Sequence, residues 1–129
     1  MAEREKYEMD FLLRTSTKAL DNMISTPSGL SEWFADDVNI KDDIYTFFWD
    51  GSEEQARLLK KKQNAMVRWQ WLEDEEEGLD TYFELRYEKD PMTKSVLLTL
   101  TSFAEPDEVE ESRFLWEGQI GQLKRKLGA

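Results

Sequence analysis

The sequence predicts an α+β fold in which a curved, seven-stranded antiparallel sheet wraps around one long C-terminal helix. Apolar residues recur with helical spacing over residues 107–127. Between residues 36 and 104 the hydrophobic pattern instead has a period of two, which is typical of strands. Because no repeat, low-complexity tract or linker interrupts these patterns, residues 1–129 are expected to form one domain.

The N-terminal part predicts one strand and two short helices. Residues 7–15 alternate between apolar and polar side chains and predict the first strand. A hydroxyl residue, Thr15, Ser16 or Thr17, then caps a helix. The buried stripe of that helix is Ala19, Leu20, Met23 and Ile24. Thr26 caps a second helix with Pro27 at its first position. The bulky residues on one side of the second helix are Leu30, Trp33 and Phe34.

Six further strands follow as a meander. Their predicted bounds are 38–40, 44–49, 53–62, 65–72, 81–88 and 95–103. Turns are indicated by Asp42-Asp43, Asp50-Gly51 and residues 90–93. Residues 53–62 also fit a helical turn, but a hairpin turn precedes them and another strand follows closely, which favours a strand. The acidic run 73–77 is expected to be a solvated loop.

The last segment predicts a long amphipathic helix. Its apolar stripe is Val109, Trp116, Ile120, Leu123 and Leu127. Acidic residues begin the helix and basic residues end it, which complements the helix dipole. Gly118 and Gly121 each cost about 1 kcal/mol relative to alanine in a helix. Either they thin the helix so that a ligand or the sheet can approach, or they lie near solvent.

Composition excludes several function classes. The chain has no Cys and no His, which removes thiol nucleophiles, disulfides, imidazole bases and the commonest zinc ligands. A net charge of −11 argues against nucleic acid or an anionic membrane as the main partner. No apolar run approaches the roughly 18 residues that span a bilayer, and the first residues lack an apolar signal segment. A soluble cytoplasmic protein is therefore expected.

Three stretches carry a resemblance to a known family. Residues 25–34, STPSGLSEWF, place a Leu and a Trp after a short turn, and residues 66–71, MVRWQW, form a strand that ends in Trp. Trp116 is followed by aliphatic residues four, seven and eleven positions later. In this order the chain resembles the START-like, helix-grip superfamily, also called SRPBCC or Bet v 1-like, over nearly its whole length. It looks most like the branch related to the activator of Hsp90 ATPase and like a bacterial START-like subgroup.

The resemblance implies a helix-grip fold but several different activities. The superfamily includes lipid carriers, hormone and polyketide binders, cyclases, dioxygenase subunits and chaperone activators, so membership does not decide the activity. The dioxygenase subunits need a metal triad with His, which this chain lacks. We expect no cofactor, metal site or catalytic residue. An enzyme that uses buried carboxylates or tyrosines, for example near Tyr45, Tyr82 or Tyr87, is the least supported alternative.

The first hypothesis is therefore non-catalytic binding of a small hydrophobic or lipid-like molecule between the last helix and the sheet. The expected lining residues are Trp33, Phe34, Trp69, Trp71, Phe103 and Trp116. For each ring, simple core packing is the alternative. The second hypothesis is a protein-interaction module resembling a chaperone activator. The sequence does not decide whether the protein forms a homodimer. Arg68 and Arg86 could anchor a ligand carboxylate, but their alternation with Trp69 and Phe83 favours the outer, solvated face.

Overall fold

One antiparallel sheet of seven strands forms the body of the computed structural model, which describes residues 3–129. The strands are β1 (Glu5–Leu13), β2 (Asp37–Lys41), β3 (Ile44–Trp49), β4 (Ser52–Lys62), β5 (Met66–Trp71), β6 (Phe83–Lys89) and β7 (Val96–Ala104). The helices are α1 (Thr17–Ser25), α2 (Pro27–Trp33), α3 (Leu72–Glu76) and α4 (Val109–Leu127). The spatial order β1-β7-β6-β5-β4-β3-β2 makes β1 and β2 the edges. The predicted α+β helix-grip arrangement is confirmed.

The two short helices begin where the sequence predicts. The Ser16 hydroxyl accepts a hydrogen bond from the Ala19 amide at 3.0 Å and caps α1. Thr26 caps α2 in the same way, accepting from the Gly29 amide at 2.9 Å, with Pro27 at the first helical position. The first strand starts two residues earlier than predicted and ends at Leu13, because it pairs with β7 from residue 5 onward.

The meander follows the predicted order. Residues 53–62, which fitted both a strand and a helical turn, lie in β4 and pair with β3 on one side and β5 on the other. The turns at Asp42-Asp43 and Asp50-Gly51 use left-handed backbone, with φ of 57° at Asp42 and 80° at Gly51. A register shift between Leu58 and Lys60 marks a bulge in β4.

The acidic run is not a loop, and this prediction was wrong. Residues 72–76 form the short helix α3, and Glu73, Asp74 and Glu75 lie in its first turn. Carboxylates are favourable there because they face the positive end of the helix dipole. The acidic side chains are nevertheless on the surface, as a solvated segment requires.

The long helix buries the predicted stripe. Trp116, Ile120 and Leu123 are buried against α1, α2, β1 and β7, with Val109 and Leu127 half-buried at its ends. The α-helix begins at Val109 rather than at residue 107, because residues 106–108 form a 3-10 turn.

The two glycines within α4 do not serve close packing within this chain. A Cβ added to Gly118 or Gly121 would meet no atom within 4 Å, so neither glycine lies against the sheet. Of the two alternatives left by the sequence, the position near solvent is the correct one.

Candidate functional site

The corner between α1 and α2 positions the first aromatic residues of the interior. A Cβ on Gly29 would lie 2.1 Å from the Asn22 carbonyl oxygen and 2.7 Å from the Met23 Cα, so only glycine lets the two helices meet this closely. Trp33 at the end of α2 donates its indole N–H to the Met23 carbonyl at 2.8 Å. Phe34 follows Trp33 directly in the chain and is buried in the centre of the molecule.

Phe34 is the centre of an aromatic cluster that joins α2, α4 and the sheet. Its ring lies 4.9 Å from Phe47 and 5.6 Å from Trp49, both edge-on. It stacks on Trp116 of α4 at 5.7 Å. Such pairs contribute about 0.5–1.5 kcal/mol each beyond the area that they bury. The cluster therefore fixes α4 against the sheet.

Strands β5 and β6 supply the floor of this cluster. Phe83 stacks on Trp69 at 5.1 Å and on Trp71 at 4.7 Å. Trp69 pairs with Phe83 across the two strands and is only 1% exposed. Its buried indole N–H has no hydrogen-bond partner within residues 3–129. Trp71, one pleat further on, is only half-buried.

A cleft of about 300 Å³ opens between α4 and the sheet at this point. Its lining residues are Phe34, Trp49, Glu54, Trp71, Ser102, Phe103, Ser112, Leu115, Trp116 and Gln119. The volume lies at the lower end of the range for small-molecule sites. Half of the lining residues are aromatic, so the cleft suits a flat or apolar molecule.

The structure brings four of the six predicted lining residues to this cleft. These are Phe34, Trp71, Phe103 and Trp116. Trp33 and Trp69 lie outside the lining, in the packed interior, where they fasten α2 and the sheet. Phe103 packs edge-on against Tyr82 at 5.0 Å while it contributes to the lining.

The polar members of the lining were not predicted from the sequence. Ser112 and Gln119 flank Trp116 at helical spacing, so the stripe around that residue could have identified them. Ser112 is hydrogen-bonded to the Tyr7 hydroxyl. The Gln119 amide donates to the Phe34 carbonyl at 3.3 Å, and the Trp49 indole donates to the same oxygen at 2.9 Å. These bonds hold the cleft walls in place.

Glu54 is the one ionisable side chain in the described lining of the cleft. Partial burial, and then the negative charge of Glu73, raise the pKa of its carboxyl above the ordinary value. A neighbouring groove of about 390 Å³ shares Glu54 and Trp71 with the cleft. The other residues of that groove are Glu53, Gln55, Leu72, Glu73, Asp74 and Glu76. The mouth of the cleft is therefore strongly acidic.

A buried tyrosine–carboxylate pair lies elsewhere, beneath α1. The Tyr87 hydroxyl donates to Asp21, whose carboxylate also accepts from the Asn64 amide at 3.0 Å and the Ser25 hydroxyl at 3.3 Å. Burial, and then the Asp21 carboxylate, raise the pKa of Tyr87 far above its usual range. Neither residue lines the cleft, so the pair fastens α1 to β6 and to the turn between β4 and β5.

The two strand arginines do not reach the cleft. Arg68 and Arg86 lie 2.7 Å and 3.0 Å from the two carboxylate oxygens of Glu84, whose side chain is only 4% exposed. Arg68 also lies over the Tyr82 ring, 4.2 Å from its centre. Neither arginine lines the cleft, in agreement with the outer-face interpretation.

Other features of residues 3–129 are weaker candidates for a functional site than the cleft. A hollow of about 690 Å³ between β1 and the start of α4 is more voluminous than the cleft, but it is open and lined largely by charged side chains. Within the described residues no three acidic side chains gather as metal ligands would. None of the helices in that range is both long and apolar enough to cross a membrane.

Comparison with known proteins agrees with this architecture. The family model for the START-like superfamily domain matches residues 1–129. No curated protein matches.

Three solved structures are similar over nearly the whole chain. The solution structure of a protein from Bacteroides fragilis is 32% identical, with a TM-score of 0.68, and the match covers 98% of this chain and 92% of that one. The Aha1 dimer from Colwellia psychrerythraea is 18% identical with a TM-score of 0.81, covering 95% and 96% of the two chains. A crystal structure from Mesorhizobium loti is 15% identical with a TM-score of 0.75, covering 94% and 95%.

Proposed function

The chain belongs to the START-like superfamily, and on that premise we propose that its cleft binds a small hydrophobic molecule without converting it chemically. The observation that carries the proposal is the aromatic lining of the 300 Å³ cleft between α4 and the sheet. Burial of apolar ligand surface, at about 25 cal/mol per Å², supplies the affinity. Phe34, Trp71, Phe103 and Trp116 contact the ligand, while Trp33 and Trp69 support them from the interior.

The charge of the lining selects among hydrophobic ligands. Glu54 is acidic, and none of the described lining residues is basic. A ligand carboxylate or sulfonate would meet Glu54 and the acidic groove beside it with no cation to pair it. The proposed ligand is therefore uncharged or cationic. Ser102, Ser112 and Gln119 provide hydrogen-bonding groups for one polar end.

Two measurements test ligand binding. Native mass spectrometry of freshly purified protein is expected to show a co-purified small molecule. Titration with the neutral dye N-phenyl-1-naphthylamine is expected to enhance its fluorescence, and the anionic dye 1-anilinonaphthalene-8-sulfonate should bind less tightly. Glu54→Gln should reduce the difference between the two dyes.

A plugged variant distinguishes the cleft from other surfaces. Ser102→Leu places a larger side chain in the cleft and should abolish dye binding, whereas Met92→Ala, at an exposed position far from the lining, should not. Unchanged binding in a folded Ser102→Leu protein would sink the proposal.

A protein-interaction module is the second candidate, and the acidic groove favours it. Glu53, Glu73, Asp74 and Glu76 gather on one surface, and the Aha1 protein of similar fold from Colwellia psychrerythraea forms a dimer. A pull-down at low salt is expected to recover a basic partner that charge-neutralising substitutions in this groove release. If no partner is recovered at low salt, this candidate fails.

A further inference from the structure

On the side of α4 away from the sheet lies a face that no other described residue covers. Phe114 is 74% exposed and Leu115, which lies at the edge of this face and also lines the cleft, is 60% exposed, although both are large and apolar. About one and two turns beyond Phe114, a Cβ on Gly118 or on Gly121 would meet no atom within 4 Å. At 3.6 residues per turn Phe114, Gly118 and Gly121 share one stripe, and Leu115 lies at its edge. The helix therefore presents two exposed apolar side chains beside an open, flat surface, here called the shelf, formed by Gly118 and Gly121.

The charges along the same helix are arranged from acidic to basic. Glu110 and Glu111 lie in its first turn, and Lys124, Arg125 and Lys126 in its last. Glu111 and Arg125 fall on the exposed stripe, equally far from Gly118 in opposite directions. Within residues 3–129 neither of them takes part in an ion pair.

We propose that α4 pairs antiparallel with α4 of a second copy of this chain, about a two-fold axis near Gly118. In that arrangement Glu111 of each copy lies beside Arg125 of the other, and the contact occurs twice because the interface is isologous. Phe114 and Leu115 of each copy lie over the open shelf at Gly121 of the other. Gly118 lets the two helices approach closely at the axis.

The charge order argues for this orientation and this partner. A parallel pair would set Glu111 against Glu111 and Arg125 against Arg125, which is repulsive at both ends. Acidic side chains already repel one another at the start of the helix. A hydrogen bond between Glu108 and Glu105, and the negative charges of the acidic residues around Glu108, raise the pKa of the Glu108 carboxyl. A basic helix end from a second copy relieves this repulsion. One helix face is a small interface, so the dimer is weak and concentration-dependent.

Charge-swap variants test the orientation. Sedimentation equilibrium over a concentration series is expected to show a monomer–dimer equilibrium. Glu111→Arg alone, or Arg125→Glu alone, should raise the dimer Kd about tenfold, because each introduces two like-charge contacts. The double variant Glu111→Arg/Arg125→Glu should restore the original Kd. A parallel pair would instead be unaffected or tightened by the single changes, and a monomer at every concentration would overturn the proposal.

Cross-linking tests the position of the axis. The chain has no Cys, so Gly118→Cys carries the only thiol, at a position with free space for it. Under mild oxidation it should form a disulfide-linked dimer in high yield. Met92→Cys, at a side chain 88% exposed elsewhere on the surface, is the matched control and should remain largely monomeric. Equal yields from the two variants would contradict an axis near Gly118.

Discussion

Gly29 lies where α1 and α2 approach each other most closely, and the consequence can be tested with one methyl group. We expect Gly29→Ala to lower the free energy of unfolding by about 2–3 kcal/mol, because its Cβ would lie 2.1 Å from a backbone oxygen that cannot move freely. Urea unfolding measures the loss. Gly118→Ala is the matched control, and in dilute protein it should gain up to about 1 kcal/mol, since nothing obstructs its Cβ. Equal effects at both positions would contradict the close approach at Gly29.

Because of Tyr87, the free energy of unfolding is expected to depend on pH in the alkaline range. Its folded pKa is raised by burial and then by Asp21, so the folded chain retains a proton that the unfolded chain loses near pH 10. The contribution is therefore fully present below about pH 10 and is lost as the pH rises above it. Burial raises the pKa of Tyr45 as well, which adds to the loss with the same sign.

The variant Tyr87→Phe separates the contribution of Tyr87 to this pH dependence from that of Tyr45. It should cost about 1–3 kcal/mol at pH 8, because the buried Asp21 carboxylate loses a donor. Between pH 9 and pH 11 (on the order of the tyrosine pKa) its unfolding free energy should fall less steeply than that of the wild type. Parallel pH profiles would show that Tyr87 titrates alike in both states.

Strand β6 carries a buried charged group, Glu84. Glu84 is almost fully buried between Arg68 and Arg86 on the side of the sheet away from the cleft. We expect Glu84→Gln to reduce the unfolding free energy by about 1–3 kcal/mol. The cost stays below that of breaking a fully buried ion pair, because both arginines reach solvent. Glu88→Gln, exposed on the same strand, should have little effect, and equal losses would argue against the pairing.

The elements differ in how far the sequence determines them. Long periodic patterns predicted the seven strands and α4, because tertiary packing uses the same period that the sequence shows. The five-residue helix α3 was missed, since a short acidic run lacks any apolar period and its helix depends on the local dipole. At the site, Trp69 and Trp71 occupy equivalent places in the alternation. The pairing of β5 with β6 distinguishes them, because Trp69 pairs with Phe83 and is buried, whereas Trp71 lies beyond the paired residues, at the cleft.

At the scale of the whole molecule, charge opposes the compact state. The chain carries 28 acidic and 17 basic residues, and the ion pairs seen within residues 3–129 leave most of the acidic groups unpaired. A large net charge destabilises a folded chain through self-repulsion. Added salt screens both this repulsion and the few attractive pairs, so the sign of the salt effect shows which one is larger.

We expect the repulsion to be larger, because it is summed over a net charge of −11 while most of the ion pairs include a side chain open to solvent. In dilute protein at neutral pH, the urea midpoint should rise as the Debye length falls from about 30 Å to about 8 Å. Near pH 4.5, where the net charge is close to zero, the same salt should give little or no gain. A midpoint that falls with salt at neutral pH would mean that the paired charges around Arg57 and Glu84 outweigh the excess of acid.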